Sequence, residues 1–66
     1  MEISVNGEPQ RIDAATSAAQ LVEQLGLGGK RLAMEVNGEI VPRSTFAEHT
    51  FSPGDRIEII HAVGGG

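Results

Sequence analysis

Cysteine, tryptophan and tyrosine are absent from this 66-residue chain, and two phenylalanines are its only large aromatic side chains. Without cysteine there is no disulfide, no thiolate metal site and no thiol nucleophile, so regular secondary structure alone must compensate for a small core. A cytoplasmic location fits that composition. Positive charge is also scarce: five Lys and Arg against nine Asp and Glu give a formal charge of -4 at pH 7. Arg11, Lys30, Arg31, Arg43 and Arg56 are spread along the chain. Phosphate recognition needs clustered positive charge, so this distribution argues against nucleic acid as a partner. Long apolar runs are missing as well, and none approaches the roughly 20 residues that span a bilayer. The opening Met1-Glu2-Ile3-Ser4-Val5-Asn6 has neither the basic nor the apolar segment of a secretion signal. A chain this short buries only about 60% of its unfolded surface, which leaves no room for a deep catalytic cleft.

What is present suffices for one thin core. Ile, Leu, Val and Phe exceed the roughly 20% below which a charged chain stays disordered. Ile3 and Val5 alternate with Glu2 and Ser4, and Asn6-Gly7 follows as a tight-turn signal, so the chain is expected to open with a β-hairpin. The return strand, Glu8 to Ile12, contains Pro9, which cannot donate to a ladder and belongs at a sheet edge. Ser17 and Gln20 have the spacing of a capping box, and Ala18, Leu21, Val22 and Leu25 fall on one helical face. That pattern predicts one amphipathic helix of about two turns, stopped at Gly26.

Leu32, Met34 and Val36 alternate with Ala33 and Glu35, Asn37-Gly38 turns the chain, and Ile40-Val41 returns as far as Pro42. This is a second hairpin. Ser44 to His49 reads as a helical turn, with Thr45 and Glu48 spaced as another capping box and Phe46 and Phe51 directed at the core. Ser52-Pro53-Gly54-Asp55 suits a type II turn. Arg56 to Val63, rich in β-branched residues, is the last strand. A single helix covers only one face of one sheet. The expected architecture is therefore α+β, a mixed sheet of about five strands packed on one helix in the β-grasp, ubiquitin-like manner, with a short helical turn before the last strand. The last strand would lie beside the first, and the other sheet face would be open. Residues 1–63 form the domain and 64–66 a glycine tail.

Candidate chemistry is sparse. Gly26-Leu27-Gly28-Gly29-Lys30-Arg31 invites a phosphate-loop reading, but a Walker A motif needs glycine at Gln24 and Ser or Thr at Arg31. A dinucleotide fingerprint fails at Arg31, where its third glycine belongs. A helix stop and a loop account for the glycines. His49 and His61 are the only histidines; no serine stands in a nucleophile elbow, and the carboxylates form no recognisable metal set. His49 is expected in solvent after the helical turn. His61 shares strand parity with Ile57 and Ile59, which places it near the core edge or where the strand leaves the sheet. Ile59 and Ile60 are adjacent and must face opposite sides of the sheet, so Ile60, with Ala62 and His61 nearby, is a candidate for docking a partner. Gly64-Gly65-Gly66 has no side chains to pack. Such a stretch can enter a narrow channel in another protein and present a terminal carboxylate, ionised at neutral pH, for activation.

Three blocks carry a resemblance: Val36-Asn37-Gly38-Glu39-Ile40-Val41-Pro42-Arg43, then Phe46, then Pro53-Gly54-Asp55-Arg56-Ile57-Glu58-Ile59-Ile60-His61-Ala62-Val63 with the closing Gly-Gly. Together they resemble the sulfur carriers of thiamin biosynthesis, the ThiS family, over nearly the whole chain. The resemblance implies a carrier, not an enzyme. Its Gly66 carboxylate would be adenylated by an adenylyltransferase similar to ubiquitin-activating enzymes, which uses Mg-ATP bound to itself, so the carrier holds no cofactor. A persulfide donor would then displace AMP to leave a thiocarboxylate, which a thiazole synthase consumes. Gly65, and with a weaker match Gly64, would thread into the partners. Two other readings share the fold: the small sulfur-carrying subunit of molybdopterin synthase, and a ubiquitin-like modifier joined to lysines through its Gly-Gly. No nucleic acid, membrane or metal is implied.

Overall fold

The computed structural model describes residues 1–61. Two hairpins and a central strand make one five-stranded sheet. The strands are β1 (Glu2–Val5), β2 (Glu8–Arg11), β3 (Leu32–Val36), β4 (Glu39–Val41) and β5 (Arg56–His61), with α1 (Ala18–Gln24) between the hairpins and a 3₁₀ turn over Arg43–Thr45. The sheet order is β2-β1-β5-β3-β4. β5 runs parallel to β1, with Val5 opposite Ile57, and antiparallel to β3, with Leu32 opposite His61. The last strand thus lies beside the first, as the sequence predicts, and both edges are short.

Both hairpins close through Asn-Gly. Asn6 and Gly7 have φ of 51° and 85°, Asn37 and Gly38 have φ of 53° and 86°, and two left-handed residues in succession define the type I′ turn that suits twisted strands. Pro9 lies in edge strand β2 opposite Ser4, where its missing N–H is tolerated. That strand ends at Arg11 rather than Ile12. Ile12 is nonetheless buried, and its N–H donates to the Met1 carbonyl at 2.9 Å.

The capping box at the start of α1 is complete: the Gln20 N–H donates to Ser17 Oγ at 3.2 Å, and the Ser17 N–H donates to Gln20 Oε1 at 2.9 Å. The other free N–H groups of the first turn are met by the chain ahead of β5, Ala18 donating to the His49 carbonyl at 2.8 Å and Ala19 to that of Phe46 at 3.0 Å. At the other end Leu25 is the C-cap and Gly26 takes φ of 76°. Gly26 N–H donates to Glu23 O at 3.0 Å and Leu27 N–H to Val22 O at 2.9 Å. These two bonds are a Schellman motif, with Leu27 packed against the core.

Ile3, Val5, Met34, Val41, Ile57 and Ile59 of the sheet meet Ala18, Leu21 and Val22 of α1, and Ile12, Phe46 and Phe51 close the sides. The phenylalanines are where the sequence directs them. The short helical turn before β5 is present, but it starts earlier than the spacing predicts and without the expected cap. Pro42 has extended backbone and starts the turn at Arg43, so Thr45 is its last residue and not its cap. The Thr45 hydroxyl donates to the Pro42 carbonyl at 2.8 Å, and no Thr45–Glu48 capping box forms. Gly54 at φ of 82° confirms the turn before β5. The sequence-predicted end of that strand at Val63, and the tail 64–66, lie outside the described residues.

Candidate functional site

β5 is the element that leads into the glycines, and it is held from both sides. On the β3 side the Asn37 N–H donates to the Arg56 carbonyl at 2.8 Å, while Asn37 Oδ1 accepts from the Arg56 N–H at 2.9 Å. Asn37 Nδ2 donates to Asp55 Oδ1 at 3.0 Å. The other Asp55 oxygen accepts the Ser52 N–H at 2.8 Å. On the β1 side Asn6 N–H donates to Ile57 O at 2.9 Å. Asn6 Oδ1 then accepts from the Ile59 N–H at 2.9 Å, and Asn6 Nδ2 donates to the Ile59 carbonyl at 3.2 Å. Neither asparagine was singled out by spacing beyond its turn.

Alternation along β5 buries Ile57 and Ile59 under α1 and turns Glu58 and Ile60 to the uncovered face, where Ile60 is 66% exposed. Opposite Ile60 is Ala33, and opposite Glu58 is Glu35, whose other neighbour is Ile40. Ile40 is 71% exposed. The open face therefore carries two large apolar side chains and, between them, a directly opposed pair of glutamates. Like charges in that position oppose sheet formation, so this pair does not stabilise the isolated domain. Ile40 was missed as an exposed residue, although its adjacency to the buried Val41 carries the same signal that singles out Ile60.

His61 closes the β3–β5 ladder opposite Leu32 and is exposed, so it lies where the strand leaves the sheet and not in the core. His49 departs from expectation: it is half-buried, with its ring edge-on to Phe51 at a centroid distance of 5.2 Å, because its backbone carbonyl is drawn to the start of α1. Arg43, in the matching block, donates through Nη1 to the Lys30 carbonyl at 3.3 Å and ties the loop after α1 to the 3₁₀ turn. Ala62, Gly64, Gly65 and Gly66 lie outside the described residues. Among the described residues no three His, Cys, Asp or Glu side chains cluster as metal ligands, and no helix is long and apolar enough to cross a membrane.

The chain has relatives at every level of comparison. Residues 3–66 match the model of the ThiS family. The sulfur carrier protein ThiS of Escherichia coli is 32% identical over 66 residues, covering both chains completely. A thiazole synthase of Paramagnetospirillum magneticum is 36% identical over the whole of this chain, which spans only 20% of that protein's length. The crystal structure of the thiamine biosynthesis protein ThiS from Geobacter metallireducens superposes with a TM-score of 0.79 at 32% identity, with full coverage of both chains. A β-grasp sheet on one helix, matched end to end in sequence and in structure, makes this chain a member of the ThiS family.

Proposed function

We propose that the chain is a sulfur carrier of thiamin biosynthesis, a protein substrate that partner enzymes load and unload at Gly66. The observation that carries this reading is the full-length likeness to a sulfur carrier protein. A central strand leading directly into Ala62-Val63-Gly64-Gly65-Gly66 supports it. In the first step a Gly66 carboxylate oxygen attacks the α-phosphorus of ATP held with magnesium on an adenylyltransferase, and pyrophosphate leaves. The acyl-AMP is then attacked by the terminal sulfur of a cysteine persulfide; a C–S bond forms and AMP departs. Cleavage of the resulting S–S bond by a second thiol, itself oxidised to a disulfide, releases the thiocarboxylate. A thiazole synthase takes that sulfur, and the carboxylate returns for another cycle.

Each step needs the glycines for the same reason. A Cβ at 65 or 66 would crowd the carbonyl under attack and the walls of the channel it must enter. Gly64 adds reach. Ile60, with His61 and Ala62, supplies the docking surface beside the tail; the 66% exposure of Ile60 on the uncovered face supports that assignment. The experiment is intact-mass spectrometry after incubation with Mg-ATP, the adenylyltransferase and a persulfide donor. The expected result is a mass gain equal to replacing one oxygen by sulfur, absent from a variant lacking Gly66. No gain, with enzyme and donor active on another carrier, would overturn the assignment.

A further inference from the structure

We infer that Asn6, in the turn of the first hairpin, is a positioning residue for the loading reaction: its side-chain amide takes the place of the missing continuation of β1 and holds the end of β5 from the β1 side. The inference rests on the carrier reading above and deepens it.

In a regular parallel ladder, a strand residue donates its N–H to one neighbour carbonyl, its own carbonyl accepts two residues further along, and the next peptide N–H closes that same residue's carbonyl. β1 follows this pattern through Ser4, whose N–H donates to Asp55 O at 3.0 Å, and Asn6, whose N–H donates to Ile57 O at 2.9 Å. There the main chain departs, because Asn6 enters the left-handed region at φ of 51° to make the hairpin. Its carbonyl is carried away from β5, and Gly7 and Glu8 turn back into β2. Ile59 would be left with both backbone groups unpaired on this side, at a buried position. Asn6 Oδ1 accepts from the Ile59 N–H at 2.9 Å, and Asn6 Nδ2 donates to Ile59 O at 3.2 Å. The side-chain amide thus supplies the acceptor and the donor that two successive main-chain peptides of a longer β1 would have supplied.

Two sequence requirements converge on one residue type. Asparagine tolerates the left-handed region that the turn demands, and it carries both hydrogen-bonding groups of an amide. Asp lacks the donor, Ser has the wrong reach and Gly has neither group. Ile59 is two residues from His61 and is the last residue of β5 bonded from the β1 side among the described residues. β3 holds this end of the strand from the other side, with Leu32 opposite His61, and the clamp supplies the hold from the β1 side. A carboxylate that must meet the α-phosphorus in a channel gains rate from a fixed starting point, and loses it when the starting point spreads.

The test compares the full chain with Asn6→Gly, which keeps the turn and removes the amide, and with Asn6→Asp, which keeps only the acceptor. Folding is confirmed by the Leu21 and Met34 methyl resonances. Expected for Asn6→Gly are exchange of the Ile59 amide faster by about tenfold with the Ile57 amide unchanged, and a kcat for adenylation, followed as ATP–pyrophosphate exchange, lower by about fivefold or more. KM for the carrier should stay within about twofold, since docking by Ile60 is untouched; Asn6→Asp should fall between the two. A folded Asn6→Gly with unchanged kcat would overturn the inference, as would a rise in KM alone. If the unaltered chain supports no adenylation, the carrier reading fails; the Ile59 exchange rate in the same proteins still decides whether Asn6 fixes the strand end.

Discussion

Asn6 and Asn37 occupy the same position in two type I′ turns, and each closes its side chain on β5, Asn6 at Ile59 and Asn37 at Arg56. The strand is thereby pinned at its beginning from the β3 side and near its end from the β1 side. The two hairpins have unrelated strand sequences, but each uses its turn to finish a ladder that its own strand is too short to complete.

The Asn37 clamp is exposed and its contribution can be isolated. Asn37→Gly retains the turn and loses the side-chain bonds to Arg56 and Asp55. It should lower stability by about 1 kcal/mol, and Asn37→Ala by about 1 kcal/mol more, since alanine must also hold a left-handed φ. Urea unfolding of the three proteins measures both steps.

Leu21 and Met34 are among the largest fully buried side chains, one on the helix and one on the sheet facing it. Leu21→Ala should cost about 2–5 kcal/mol. A domain this small has little stability to spare, so the variant is expected to be largely unfolded at 25 °C by circular dichroism. Met34→Leu, nearly equal in volume, should remain folded.

Ser17→Ala removes one half of the capping box and frees the Gln20 N–H. The expected loss is about 1 kcal/mol. Thr45→Ala provides the contrast, because the structure gives Thr45 no capping role: its bond to Pro42 is exposed, and the loss should be about half that or less. Thermal unfolding of the pair distinguishes a true cap from a residue that merely has the spacing of one.

Gly54 stands at φ of 82° with open space where a Cβ would be. Any penalty for Gly54→Ala is therefore backbone strain alone, about 1–2 kcal/mol, and Gly54→Asn should recover part of it. Chemical denaturation of the two variants separates strain from packing at this turn.

Ile60 and Ile40 lie on the uncovered face, 66% and 71% exposed. Ile60→Asp should change stability by no more than about 1 kcal/mol while, on the proposed docking role, weakening binding to the proposed adenylyltransferase partner by about tenfold or more. Ile40→Asp tests how far the surface extends across the glutamate pair. Titration calorimetry alongside urea unfolding would show whether the affinity falls without the fold.

Most of the fold is legible because its determinants are local. Asn-Gly turns, the Ser17–Gln20 box, the alternation of Leu32 to Val36 and the Pro53-Gly54 turn each specify geometry within a few residues. The place of β5 beside β1 follows from the β-grasp arrangement that one helix on one sheet suggests, whereas its parallel direction appears only in the structure. What escaped is the work of side chains across the sheet. Asn6 reads as a turn residue because its bonds to Ile59 span 53 positions, and spacing carries no trace of them. Thr45 misleads for the opposite reason: the cap spacing is present, but Pro42 starts the turn early and changes the position Thr45 occupies. Of the two exposed isoleucines of the open face, Ile60 is legible from strand parity, and Ile40 would have been by the same rule.

The strand order has a consequence for how the molecule comes into being. β5 is the last of the five strands to be synthesised, yet it is the middle of the sheet. A nascent chain that has reached residue 55 contains two hairpins with no ladder between them, and hairpins alone are marginal in water. It also lacks Ile57 and Ile59, so the middle of the floor under α1 is missing. Interrupted products should consequently stay open to proteolysis, and any molecule that withstands a protease has been translated through the strand that bears the tail. The order of synthesis thus makes the folded state wait for the strand that is made last.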